Sequence, residues 1–124
     1  MGKSYVKKSR MVAIPTLTPE LLEQMTEAIV QAVAPEQIVL FGSRAKESAR
    51  PDSDIDLLIV EAEPFGINRS RRQEATKVWK ALGPFGIPAD VLMFSAEEVA
   101  KWQHSRNHVI SRAILEGKVL YERS

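Results

Sequence analysis

The run from Ile55 to Val60 restricts the possible folds of this chain more than any other segment. It reads Ile-Asp-Leu-Leu-Ile-Val, is the longest apolar run in the sequence and contains one acid. Branched apolar residues of this kind favour a β-strand. The run is far shorter than the roughly 20 residues that cross a bilayer. We therefore expect a strand within a sheet, and no membrane partner.

Helical and strand patterns alternate along the rest of the chain. Thr18, Pro19 and Glu20 provide a cap, a first-turn proline and an early acid, and the helical pattern that follows stops at Pro35. Further elements are predicted as strands at 37–41, 54–60, 89–94 and 119–121, helices at 68–82 and 107–116, and a capped element opened by Ser95 and Glu98. This order predicts an α/β (α+β) domain, with a small mixed β-sheet flanked by helices.

Length and composition limit the number of domains and the classes of partner and metal site. The chain has 124 residues, enough for one domain, which we place at 16–124 behind a flexible basic N-terminal arm at 1–15. The net charge of +1 lacks the basic excess of nucleic-acid-binding proteins, so direct nucleic-acid binding is not expected. Cysteine is absent, which excludes disulfides and thiolate metal sites and suits a cytoplasmic location.

Two acids at the start of the predicted second strand point to metal chemistry. Asp54 and Asp56 are two residues apart, so they share one strand face, about 7 Å apart along the chain. Like charges held together are costly unless a cation lies between them, and Mg²⁺ prefers carboxylate oxygens. Asp90, at the start of the next strand, is a candidate third ligand, although it could also be an ordinary turn acid after Pro88.

The end of the first strand is suited to an anion. Gly42 and Ser43 lie where a strand gives way to an inferred short helix, so backbone N–H groups can receive a phosphate. Arg44 follows directly and is the best basic candidate for a triphosphate, although an arginine paired with an acid is nearly as good an interpretation. A phosphate site followed by paired carboxylates is what metal-assisted nucleotidyl transfer requires.

These residues resemble a known signature. Gly42-Ser43, ten residues, then Asp54-Ile55-Asp56 resembles the GS-x10-DxD motif of the polymerase-beta-like nucleotidyltransferase superfamily. The Phe-Gly-Ser-Arg-Ala and Glu-Gly-Lys-Val-Leu-Tyr-Glu segments are similar to its minimal nucleotidyltransferase (MNT) branch. Lys46-Glu47-Ser48 departs from the family, because many relatives have a glycine there.

The resemblance implies a fold, an activity and a partner. Members of HEPN/MNT pairs are antitoxins that transfer AMP from ATP, with one or two Mg²⁺ ions, to a tyrosine hydroxyl of a HEPN-domain toxin encoded nearby, so a hetero-oligomer is expected. By this resemblance, the metal-binding and catalytic residues are Asp54, Asp56 and Asp90, with Asp90 as the third metal ligand or the general base. The nucleotide-binding residues are Gly42, Ser43, Arg44 and Ser53.

Two alternatives to the protein acceptor stay open. The acceptor could be a small molecule such as an aminoglycoside, although the chain leaves little room for an acceptor pocket. The chain could also be a non-enzymatic antitoxin that blocks its partner by binding, but an inert copy would have no physical reason to keep three clustered acids.

Several other residues receive simpler interpretations. We predict a solvated helix face for Arg69, Arg71 and Arg72. Trp79 and Trp102 are predicted at core or interface positions. A zinc site at His104 and His108 is disfavoured, because no third ligand is nearby in sequence.

Overall fold

The structure, a computed structural model, describes residues 16–42 and 54–123. The predicted basic arm at 1–15 lies outside the described residues. The elements in chain order are α1 (Pro19–Val33), β1 (Gln37–Phe41), β2 (Ile55–Glu61), α2 (Arg71–Leu82), a 3-10 turn (Gly83–Phe85), β3 (Ala89–Ser95), α3 (Ala96–Trp102), α4 (Val109–Glu116) and β4 (Lys118–Glu122).

The four strands form one mixed sheet in the order β3-β2-β1-β4. β1 pairs antiparallel with both β2 and β4, whereas β2 and β3 are parallel. A parallel pair needs a crossover connection, and α2 provides it. The predicted mixed sheet flanked by helices is therefore confirmed.

Each face of the sheet is covered by one pair of helices. Alternate residues of β2, namely Ile55, Leu57 and Ile59, pack in the larger core with α1 and α2. The intervening Leu58 and Val60 belong to a second cluster with side chains of α3 and α4. Because strand side chains alternate between faces, Asp56 lies on the same face as this second cluster.

The predicted helix boundaries are confirmed at α1 and shifted at two later helices. α1 begins after Thr18, whose hydroxyl accepts from the N–H of Leu21. α2 begins at Arg71 rather than at residue 68, because the Ser70 side chain caps it. α4 begins at Val109 rather than at residue 107, because His108 caps it. The predicted capping box of Ser95 and Glu98 is present at α3.

The prediction of a solvated arginine face is wrong for Arg69, whereas Arg71 is exposed as predicted but also forms an ion pair. Arg69 pairs with the buried Glu61. Arg71 forms a two-pronged ion pair with Glu98, with N–O distances of 2.9 and 2.7 Å, and donates to the carbonyl of Met93 at 2.7 Å. These two arginines therefore tie α2 and its preceding turn to β2 and α3.

The tryptophans differ from each other. Trp79 is 48% exposed, so it is not a core residue. Trp102 is partly buried and stacks on His108, with ring centroids 4.8 Å apart. In the described part of the chain, no helix is both long enough and apolar enough to cross a membrane.

Candidate active site

The strand register brings the predicted acids together at one end of the sheet. Asp56 of β2 is the direct partner of Asp90 on β3. Asp54 precedes β2 by one residue and lies two residues from Asp56, so its side chain belongs to the same face. Residues that are far apart in sequence thus meet at the start of two parallel strands.

Gly42 lies directly beside this acidic group. Its neighbour Phe41 ends β1 and is the register partner of Asp56. Gly42 has a φ of +72°, and a Cβ atom added there would lie 2.2 Å from Oδ2 of Asp56. Only glycine fits this position, because a side chain would both strain the backbone and displace the carboxylate.

The charges of the three acids act on one another. Burial, followed by the charges of Asp90 and Asp54, raises the pKa of Asp56 above its ordinary value of 3.8. A neighbouring cation would favour the charged form of Asp56 and offset this repulsion. The three acids therefore form a site where a bound cation would reduce their mutual repulsion.

The acids supply suitable donors for Mg²⁺ but not a complete set of ligands. Within residues 16–42 and 54–123, no group of three or more His, Asp or Glu side chains is arranged so that it could hold a metal ion by itself. Mg²⁺ usually binds through one or two carboxylates and takes its other ligands from water and substrate phosphates. The chemistry of Asp54, Asp56 and Asp90 fits that pattern.

A cavity of about 190 Å³ lies beside Gly42. Its lining comes from the end of β1 and from α4: Phe41, Gly42, Val109, Arg112 and Glu116. These α4 residues are not among the site residues predicted from the sequence. Their helical pattern indicates only an amphipathic helix, and the packing of α4 on the sheet beside β1 places them next to Gly42.

The structure does not place the remaining predicted site residues beside the acids. Ser43, Arg44 and Ser53 lie outside the described residues, as does the inferred helix after Gly42. His108 has a structural role, because its Nδ1 accepts from the N–H of Ile110 and its ring stacks on Trp102.

Solved structures with the same fold agree with this description. A crystal structure of a toxin–antitoxin with AMP-PNP matches with a TM-score of 0.51 and 22% identity over 82% of this chain and 74% of that chain. A candidate nucleotidyltransferase from Sulfolobus solfataricus matches with a TM-score of 0.50 and 19% identity over 84% and 79%. The MntA-HepT toxin–antitoxin has a TM-score of 0.47 and 21% identity over 84% of this chain and 73% of that chain.

Sequence comparison gives the family. No curated protein matches the chain significantly. The family model described as "Polymerase beta, Nucleotidyltransferase" matches residues 23–124. This match includes Gly42 and all three acids, so the resemblance noted in the sequence is confirmed at the level of the family. Because the match covers well over half of the chain, this protein belongs to the polymerase beta nucleotidyltransferase family.

Proposed function

We propose that this nucleotidyltransferase transfers AMP from ATP, with Mg²⁺, to a tyrosine hydroxyl of a partner HEPN-domain toxin, and thereby acts as an antitoxin. The observation that carries the proposal is the register that pairs Asp56 with Asp90 beside Gly42. Three carboxylates next to a glycine suit a nucleoside triphosphate and its metal ions. The toxin–antitoxin solved with AMP-PNP, which shares the fold, supports the choice of nucleotide and partner.

The residues divide into two groups by chemistry. Asp54, Asp56 and Asp90 would hold one or two Mg²⁺ ions, which when bound neutralise phosphate charge and activate the attacking oxygen. Asp90 would accept the proton that leaves the acceptor hydroxyl, because it is exposed on the edge strand β3. Gly42, together with Ser43, Arg44 and Ser53, would bind the nucleotide.

The reaction is a single in-line displacement at the α-phosphorus. The acceptor oxygen forms a bond to that phosphorus, the bond to the bridging oxygen of pyrophosphate breaks, and the hydroxyl proton passes to a carboxylate. Positioning and charge neutralisation provide most of the rate acceleration in such reactions. The protein therefore needs well-placed carboxylates more than a nucleophile of its own.

The test is transfer of label from ATP carrying radioactive α-phosphate to the product of the adjacent reading frame. The parent protein with Mg²⁺ should label that product, and the Asp54→Asn, Asp56→Asn double variant should not. Chelation of Mg²⁺ should abolish labelling in the same way. Lys80→Gln is a matched control, because Lys80 is exposed on α2, against the opposite face of the sheet.

Two results would contradict the proposal. If the double variant binds and neutralises the toxin as well as the parent does, inhibition is by contact and not by AMP transfer. If a small molecule such as an aminoglycoside is labelled and the neighbouring protein is not, the acceptor is not a toxin.

A further inference from the structure

The outer edge of β3 is open to another strand. β3 is the last strand of the sheet and pairs with β2. The Pro88 carbonyl accepts from the N–H of Ile55 in β2 at 3.0 Å, and the backbone groups of alternate residues in a parallel pair point to opposite sides. Both backbone groups of Val91 therefore point away from β2, and neither has a hydrogen-bond partner within residues 16–42 and 54–123. Such an edge is a template for one more strand.

The later part of this edge is already used within the chain. The Met93 carbonyl accepts from Arg71 at 2.7 Å, and the Ser95 N–H is held by the capping box of α3. The open part of the edge is therefore the first half of β3, around Val91. Because Val91 follows Asp90 in the chain, a strand added there would lie next to the proposed catalytic acids.

A groove of about 480 Å³ lies beside this edge, between β3 and α2. Its wall is mostly apolar, includes Ala75 and Val91, and contains no carboxylate from the described residues. Of the two arginines in the wall, Arg71 is paired with Glu98. Arg72 is exposed and forms no ion pair with any side chain in the described part of the chain. An open edge beside an apolar groove and an unpaired cation suits an extended peptide with apolar side chains and a carboxylate.

Strand geometry would place one residue of such a peptide opposite the acids. Neighbouring strands lie about 4.8 Å apart, and side chains at matching positions share a face of the sheet. Asp90 is matched to Asp56, so the peptide residue matched to Asp90 would project to the same face as these carboxylates. The residues before and after it would project to the opposite face, where α2 packs. One extended segment can therefore present an acceptor to the acids and fill the groove at the same time.

We propose that the acceptor protein docks as an extended segment that adds a strand to the open edge of β3. Its tyrosine lies opposite Asp90, and the residues on either side place an apolar side chain in the groove and a carboxylate on Arg72. This inference rests on the proposed function, since it specifies how the acceptor is held at the same site. The chain would thus supply a docking edge and not a closed acceptor pocket.

The experiment measures the dissociation constant for the product of the adjacent reading frame by calorimetry. Arg72→Glu reverses the charge at the groove and should weaken binding by about tenfold or more. Lys80→Glu is the matched control, because it reverses an exposed charge of α2 outside the groove. Val91→Pro removes the outward N–H and should bind about fivefold more weakly than Val91→Ala, which keeps it. Equal thermal midpoints would show that all variants are folded.

Each outcome decides for or against the docking edge. If Arg72→Glu binds no more weakly than Lys80→Glu, or Val91→Pro binds as Val91→Ala does, the inference is wrong, and labelling of the product by the parent would still support the proposed function. If both differences are found and the parent does not label the bound product, the proposed function fails while the docking edge stands. If the parent does not bind the product, both are overturned.

Discussion

The Asp56 carboxylate lies against Gly42 at the end of β1. The carboxylate occupies the volume in which any other residue at position 42 would place its Cβ atom, at 2.2 Å from Oδ2 of Asp56. The left-handed φ of +72° adds a backbone cost of about 1–2 kcal/mol for a residue with a side chain. A single glycine therefore permits both the left-handed backbone at the end of β1 and the position of the Asp56 carboxylate, the proposed metal ligand.

We expect Gly42→Ala to reduce AMP transfer by at least about tenfold and the free energy of unfolding by about 1–2 kcal/mol. The steric conflict moves Asp56, and the φ value strains the backbone. Transfer assays and urea unfolding measure the two effects. Gly66→Ala is the matched control, because a Cβ atom there meets no atom within 4 Å. Equal activity of the two variants would contradict this interpretation.

Part of the site could be predicted from individual residues. The two-residue spacing of Asp54 and Asp56 was sufficient to place them on one face, and the position of Asp90 early in a strand was sufficient to propose it as their neighbour. The conflict between Gly42 and Asp56 could not be predicted, because it depends on the register of two strands. The register of Asp56 and Asp90 required the structure for the same reason.

At the scale of elements, β2 carries an acid at each end, in different environments. Glu61 ends the strand and is only 1% exposed. Its Oε1 accepts from Arg69, whereas its Oε2 has no hydrogen-bond donor among the described residues. Burial raises the pKa of Glu61, and the nearby Glu74 carboxylate adds to this effect against the opposing effect of Arg69. A protonated Glu61 could donate from Oε2 to Glu74.

Glu61 should make stability depend on pH. Below the ordinary pKa of 4.5, both folded and unfolded states bind the proton, so burial of Glu61 carries no charge penalty. As pH rises above 4.5, the unfolded state loses its proton first, and the free energy of unfolding should fall until the raised folded pKa is passed. Glu61→Gln should remove this contribution to the decline.

Urea unfolding at a series of pH values from 4.5 to neutral, on the parent and on Glu61→Gln, measures this difference. The comparison measures Glu61 together with Glu74, because a hydrogen bond between the two side chains also lowers the pKa of Glu74. Glu98, whose pKa is lowered by Arg71, titrates in both proteins and cancels. Parallel stability curves for the two proteins would contradict the assignment.

Helix and strand identities could largely be predicted from sequence, whereas helix starts and side-chain roles could not. Proline and cap residues marked α1 correctly. The arginines near the start of α2 looked like a solvated face because charge patterning reports only local sequence. Glu61 and Glu98, which pair with Arg69 and Arg71, come from other elements. Long-range ion pairs of this kind leave no periodic pattern in the sequence.

At the scale of the whole molecule, the sheet order determines which residues share the site. β1 lies between β2 and β4, so Gly42 is next to the acids, and α4 packs over β1 on their face. The sequence predicted a mixed sheet but not this order, because alternating patterns fix the period of each strand and not its neighbours. The position of the α4 residues beside Gly42 also depends on that order.

The decisive experiment is the rate of pyrophosphate release from Mg·ATP in the presence of the partner toxin, measured for the parent and for Asp90→Asn. Asp90 is exposed on an edge strand, so the substitution should leave the thermal midpoint unchanged. If β2 and β3 together form one catalytic site, the rate should fall by about a hundredfold. A parent-like rate in Asp90→Asn would show that the carboxylates paired by the sheet do not act together.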